Sequence, residues 1–194
     1  MQPAEHRRVR NRNDAGFTLL EIMVVMTLGA LLLGMAVMSM DWGLSAFRAD
    51  SALDKLQSQI YVARELALSH QRSIELRLTA TGVEFVQLEP DGTEQSLQAT
   101  RFEGRTEFIL FDGMDGANAP PDPWCQAGDT RNLNAQDILR FNSRGSLVTE
   151  EDEMVSGCFF IGTPGQPSTA RALSVFGASG RVRRFAWNGA SWAD

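Results

Sequence analysis

The sequence predicts an α+β fold, one long N-terminal helix followed by seven or eight short strands. Three observations carry that prediction. From Ile22 to Met40 there are 19 residues without a formal charge, and apolar residues then recur at helical spacing to Ala67. No proline occurs between Pro3 and Pro90, so nothing in that range is barred from a helix. After His70 the repeat changes to period two, the mark of strands with one wet face.

The uncharged run would span roughly 28 Å as a helix, about the thickness of a bilayer's hydrocarbon core. His6, Arg7, Arg8, Arg10 and Arg12 precede it, so the simplest reading is a single membrane anchor with its basic end in the cytoplasm. Glu21 is what a plain anchor does not explain, because a carboxylate at the edge of an apolar span is costly and usually has a partner. Beyond Asp41-Trp42-Gly43, Leu44, Phe47, Leu53, Leu56, Ile60, Ala63, Leu66 and Ala67 form one apolar face, with Arg48, Asp50, Asp54, Lys55, Arg64 and Glu65 around it. One helix from about Thr18 to Ser69 would be roughly 78 Å long. Gly29, Gly34 and Gly43 are its weak points, each costing about 1 kcal/mol relative to alanine in a soluble helix. Trp42 suits a membrane interface.

Strands follow in order. Ile74, Leu76 and Leu78 alternate with Ser73, Glu75 and Arg77; Thr81-Gly82 turns into Val83–Leu88; Pro90-Asp91-Gly92 turns again. Glu107–Phe111 is the next expected strand. From Gly113 to Ala135 the chain reads as a loop, with Pro120, Pro121 and Pro123 before Trp124-Cys125. Ile138–Phe141, a turn at Ser143-Arg144-Gly145, and Leu147-Val148 read as a hairpin. Val155–Ile161 and Ala172–Phe176 are apolar strands, Gly177–Gly180 a turn, Arg181–Trp187 the last strand, and the rest a short tail containing Trp192.

The segment Gly16-Phe17-Thr18-Leu19-Leu20-Glu21, with its short basic leader and unbroken apolar run, resembles the class III prepilin signal of type IV pilins and type II secretion pseudopilins. The resemblance implies that a prepilin peptidase cuts after Gly16 and methylates Phe17. It also implies that Glu21 meets the N-terminal amine of a neighbouring subunit during assembly, an attraction strengthened where little water screens it. The stretches Arg140–Gly145, Leu173–Phe176 and Gly180-Arg181-Val182-Arg183 are similar to the GspH/FimT pseudopilin family (type II secretion system protein H-like). That family's fold packs the helix on antiparallel β-sheets.

The resulting division is a prepilin leader at 1–16, a transmembrane half-helix at 17–40, a periplasmic half-helix at 41–70 and a periplasmic β-rich domain at 71–194. The expected role is a minor pseudopilin, a structural and assembly subunit of the pseudopilus in type II protein secretion. It would sit single-pass in the bacterial inner membrane, its N-terminus cytoplasmic before cleavage, and its partners would be the prepilin peptidase and other pilins or pseudopilins. The alternative is a FimT-like minor pilin of a type IV pilus that binds DNA for natural transformation.

Of the 194 residues, 18 are basic and 24 acidic, and Lys55 is the only lysine. Net negative charge argues against nucleic-acid binding by the whole surface but permits a local basic patch. Such a patch is offered by Arg181, Arg183 and Arg184 near Arg171, where the Gly-Arg-x-Arg pattern resembles that of DNA-binding FimT-type pilins and Trp187 is a candidate stacking platform. Alternation sets Arg181 and Arg183 on one face and Val182 and Arg184 on the other; the competing reading is a solvated strand edge. Cys125 and Cys158 lie on the expected periplasmic side, where one disulfide is the default and two buried free thiols the alternative. No zinc or EF-hand spacing is present, and the acidic residues Asp112, Asp115 and Glu150–Glu153 read as solvated loops. There is no convincing catalytic set; neither enzyme activity nor a cofactor is expected.

Overall fold

Helix α1 spans Leu19–His70, one residue displaced from the expected range at each end. The computed structural model describes residues 17–89, 91–125, 132–136 and 138–194, apart from the side chains of 36–42. The leader with Gly16 lies outside these residues, as do the side chain of Trp42 and those of the last part of the apolar run. The chain divides into two compact units between Asp41 and Trp42.

In the first unit α1 starts behind Thr18, whose Oγ1 accepts the Glu21 N–H at 3.2 Å, an N-cap bond that satisfies one of the helix's free donors. Thr27 Oγ1 donates back to the carbonyls of Met23 and Val24, so this hydroxyl needs no outside partner in an apolar stretch. Among the described residues no helix is long and apolar enough to cross a membrane. The described side chains of the apolar run stop at residue 35, short of the expected span to 40.

In the second unit the helix buries Ala49, Ala52, Leu53, Leu56, Ile60, Ala63 and Ala67, a stripe at three- and four-residue steps. Of the other expected members, Leu66 packs half-buried against it and two are absent. Phe47 is 69% exposed and Leu44 is exposed too. Phe47 lies nine residues before Leu56, about two and a half turns, which puts it on the opposite side of the helix. Gln71 ends the helix at φ 54, a left-handed residue where glycine is usual, and the Arg72 N–H closes onto the Ala67 carbonyl at 3.2 Å. With no glycine or proline there, the stop is visible in sequence only as a change of period.

Among the described residues ten strands follow: β1 Ile74–Thr79, β2 Gly82–Leu88, β3 Glu94–Arg101, β4 Glu107–Phe108, β5 Ile138–Phe141, β6 Leu147–Thr149, β7 Gly157–Thr163, β8 Gln166–Phe176, β9 Arg181–Trp187 and β10 Trp192–Ala193. They form two five-stranded antiparallel sheets, ordered β3-β2-β1-β5-β6 and β10-β9-β8-β7-β4. One core cluster joins the α1 stripe to Ile74, Leu76, Val83, Phe85, Leu139 and Phe141 of the first sheet and Phe159, Ile161, Leu173 and Val175 of the second. The architecture is the expected α+β one, a helix packed on antiparallel sheets.

The two sheets differ in what covers their outer faces. The first carries polar residues there: Arg77 of β1 donates to Glu75 at 2.9 Å and to Glu94 of β3 at 2.6 and 2.8 Å. The second is buried on both faces. Cys158, Phe160, Ala170, Ala172 and Phe185 alternate with the core-facing residues and pack under Met114, Cys125 and Trp192. The proline-rich loop is therefore a cover, pinned by the Cys125–Cys158 disulfide with Cα atoms 5.3 Å apart. Asn134 adds a second pin, donating to the Phe160 carbonyl at 2.8 Å and accepting its N–H at 3.1 Å.

Several expected strands change. The Glu107–Phe111 strand stops at Phe108 because Leu110 and Phe111 turn to pack under the cover loop. Val155–Ile161 shifts to Gly157–Thr163, Ala172–Phe176 begins at Gln166, and the tail supplies β10. Strand β3 has no counterpart in the sequence pattern. It is an edge strand almost wholly exposed, so it lacks the one-sided apolar alternation that betrays a strand.

The Arg77 clamp gives β3 a pH dependence. Hydrogen bonding from Arg77 holds the Glu94 carboxyl below the ordinary glutamate range. Its contribution is thus complete above about pH 4.3, the unfolded value, and is lost as pH falls through the lower folded value. Amide exchange in Glu94–Arg101, corrected for intrinsic rates, is expected to accelerate on acidification before β1 and β5 loosen, and Glu94→Gln should remove the pH dependence. Exchange rising equally in all three strands would count against the clamp.

Candidate functional site

Two regions hold the residues singled out in the sequence. The first is the start of α1. Phe17 is 78% exposed, Glu21 is exposed, and with Ile22, Val25 and Met26 they line a shallow cleft of about 290 Å³. Leu19, Leu20, Met23 and Leu28 are also largely exposed, so the first unit presents apolar side chains on all sides. Such a helix belongs in lipid or among other helices. Thr18-Leu19-Leu20-Glu21 also has the spacing of a capping box, and Thr18 makes its half of it. That role was legible in the sequence, as Thr followed three residues later by Glu before an apolar run.

The second region is the β8–β9 pair, where Arg171 of β8 and Arg181, Arg183 and Arg184 of β9 are divided by the pleat. Arg171 and Arg184 turn to the helix. Arg171 reaches Asp50 by two bonds, one at 3.1 Å, and Arg184 meets Asp54 at 2.6 Å. The two aspartates are one turn apart on α1, so these pairs clamp β8 and β9 to it. Arg183, on the other face, bridges Asp122 at 3.4 Å and Asp194 at 2.6 Å and lies over the Phe185 ring at 5.2 Å. Only Arg181 of the four has no ion pair among the described residues.

Gly180 has a structural task of its own. Its φ is +63, and a Cβ there would come within 2.4 Å of Arg64 Cδ on α1. Gly145, at φ +74 in the β5–β6 turn, faces Arg64 and Leu68, and its carbonyl accepts a bond from Arg64 Nε at 3.1 Å. Turns from both sheets thus converge on one helical residue. Trp187, the expected stacking platform, is half-buried with its ring 5.5 Å edge-on from Trp192. With Trp192 it also lines a small cleft. Among the described residues no group of three or more His, Cys, Asp or Glu could hold a metal ion.

Residues 11–37 match the family model described as the prokaryotic N-terminal methylation motif. That match covers the end of the leader and the start of α1. No curated protein matches it. Among solved structures, the type IV minor pilin FimU of Pseudomonas aeruginosa aligns at 18% identity and TM-score 0.46 over 69% of this chain and 85% of that one. The minor pseudopilin EpsH of the Vibrio cholerae type 2 secretion system aligns at 17% identity and TM-score 0.47 over 72% and 97%. In this chain the motif runs straight into the capped start of α1, so Phe17, Thr18 and Glu21 are exposed together at the helix's beginning.

Proposed function

We propose that this chain is a minor pseudopilin of the GspH/FimT type, an assembly subunit of the filament used in type II protein secretion. It is made with a leader at 1–16, cut after Gly16 by a prepilin peptidase and methylated on Phe17. The segment 17–40 tethers it in the bacterial inner membrane, with the cytoplasm on the leader side and residues 41–194 in the periplasm. Glu21 receives the amine of a neighbouring subunit in the filament.

The observation that carries this reading is the methylation motif ending in a helix whose apolar side chains are exposed on every side. A tether alone has no use for Glu21 at the first turn; a subunit that docks on others does. The arginines of β8 and β9 favour the structural role over DNA uptake, because Arg171, Arg183 and Arg184 are committed to Asp50, Asp54, Asp122 and Asp194. An arginine held by a carboxylate must give up that pair before it can neutralise a phosphate.

Cross-linking in cells that contain the companion subunits tests the proposal. Glu21→Ala is expected to leave the chain in the membrane and to reduce its cross-linked adducts with those subunits about tenfold. Adducts at wild-type level would sink the assembly role of Glu21.

A further inference from the structure

Strand β9 and the cover loop enclose a cleft of about 310 Å³ on the outer face of the second sheet. Its walls are the Trp124 and Phe176 rings, stacked at 5.1 Å with 27° between their planes, and Ser174 is buried in its lining. Asp122, also buried, accepts the Trp124 N–H at 2.9 Å with one oxygen and faces Arg183 with the other. The adjoining disulfide fixes this segment against β7. Arg181 and Arg183 stand two residues apart on one face of β9, about 6.6 Å along the strand. Arg183 already holds a carboxylate, that of the solvent-exposed Asp194.

We propose that this cleft docks an acidic side chain carried on an extended segment of a partner protein. The partner's carboxylate bridges Arg181 and Arg183 and displaces Asp194, and an apolar neighbour lies against Trp124 and Phe176. Guanidinium groups give a carboxylate forked, charge-assisted hydrogen bonds, and the ion pair at Asp194 shows that Arg183 is placed to make one. Asp122 keeps Arg183 in position and offsets part of the positive charge. The cleft is therefore matched to one or two carboxylates rather than to a polyanion, which needs a track of several unpaired cations. The chain's net charge of −6 also repels a polyanion at long range. The inference stands apart from the assembly role of α1, since all the groups it uses lie on the second sheet and its cover.

Fluorescence anisotropy of the full chain in detergent micelles tests it. The probe is a labelled, end-blocked peptide Gly-Leu-Glu-Glu-Leu-Gly, titrated to about 1 mM, the range expected of a single short contact. The comparison probes are the same peptide with glutamine for glutamate and a 12-residue oligo-dT. Saturable binding of the glutamate peptide is expected, at least tenfold weaker for the glutamine peptide and about tenfold weaker in Arg181→Ala. Asp194→Asn should tighten it about threefold or more by freeing Arg183, an effect opposite in sign to any loss of folding. Thermal melts of both variants should match the parent. No binding of the glutamate peptide even to Asp194→Asn, or equal binding of the glutamine peptide, overturns the proposal. So does tighter, Arg181-dependent binding of oligo-dT, which makes the cleft a nucleic-acid surface. Self-association that Arg181→Ala abolishes, without peptide binding, gives the cleft to a second copy instead and overturns it equally.

Discussion

Phe159→Ala is expected to destabilise the β-rich unit by about 3–5 kcal/mol, the usual range for emptying a buried phenylalanine site. Phe159 is fully buried in β7, on the face of the second sheet that meets α1, with its ring 6.0 Å from that of Phe108. Truncation leaves a cavity where helix and sheets meet, and neighbours on three elements cannot all collapse into it. Urea titration of the micelle-bound chain measures the loss. Phe47→Ala is the matched control: it removes the same atoms from an exposed helix position, and a change within about 0.5 kcal/mol is expected. Equal losses in the two variants would contradict the observed phase of the helix.

Converting both cysteines to serine is the second large effect. Cys125 and Cys158 are separated by 33 positions, and the chain-entropy model assigns such a cross-link roughly 3–4 kcal/mol. The loss should lower the melting temperature by about 6–15 °C for a domain of this size. It should act first on the cover loop, because what then holds it is non-covalent: the Asn134 bonds, the Asp122–Arg183 pair and the packing of Met114, Trp124 and Trp192. Limited proteolysis should then cut between Gly113 and Ala135 well before the sheets unfold. Unchanged melting and an uncut loop would show that the bond adds nothing to packing.

The sequence made the order of elements legible because most of them obey one period each. The α1 stripe, β1, β2, β5 and β9 have one face on the core and one elsewhere, and alternation reports that directly. What was hidden has physical reasons. Strand β3 is wet on both faces, so nothing in Glu94–Arg101 alternates. Strand β7 is dry on both faces, so its apolar run could not show which residues meet the helix and which meet the cover. Spacing alone places Phe47 in the helix stripe, and the burial of Leu56 and Ile60 fixes the phase against it.

The candidate sites divide in the same way. Phe17 and Glu21 are local in sequence and were recognisable as a motif. The disulfide followed from two cysteines and an expected compartment. By contrast, the partners of Arg171, Arg183 and Arg184 lie far away along the chain: Asp50, Asp122 and Asp54 are 121, 61 and 130 positions distant, and no local pattern announces them. The cleft at Trp124 and Phe176 depends on the same long-range closure.

The central claim is that this chain is a processed filament subunit, and the N-terminus of the mature protein tests it most directly. Mass spectrometry of the chain isolated from membranes of a peptidase-competent cell is expected to find a first residue Phe17 carrying one methyl group on its amine. An intact chain beginning at Met1 would contradict the account.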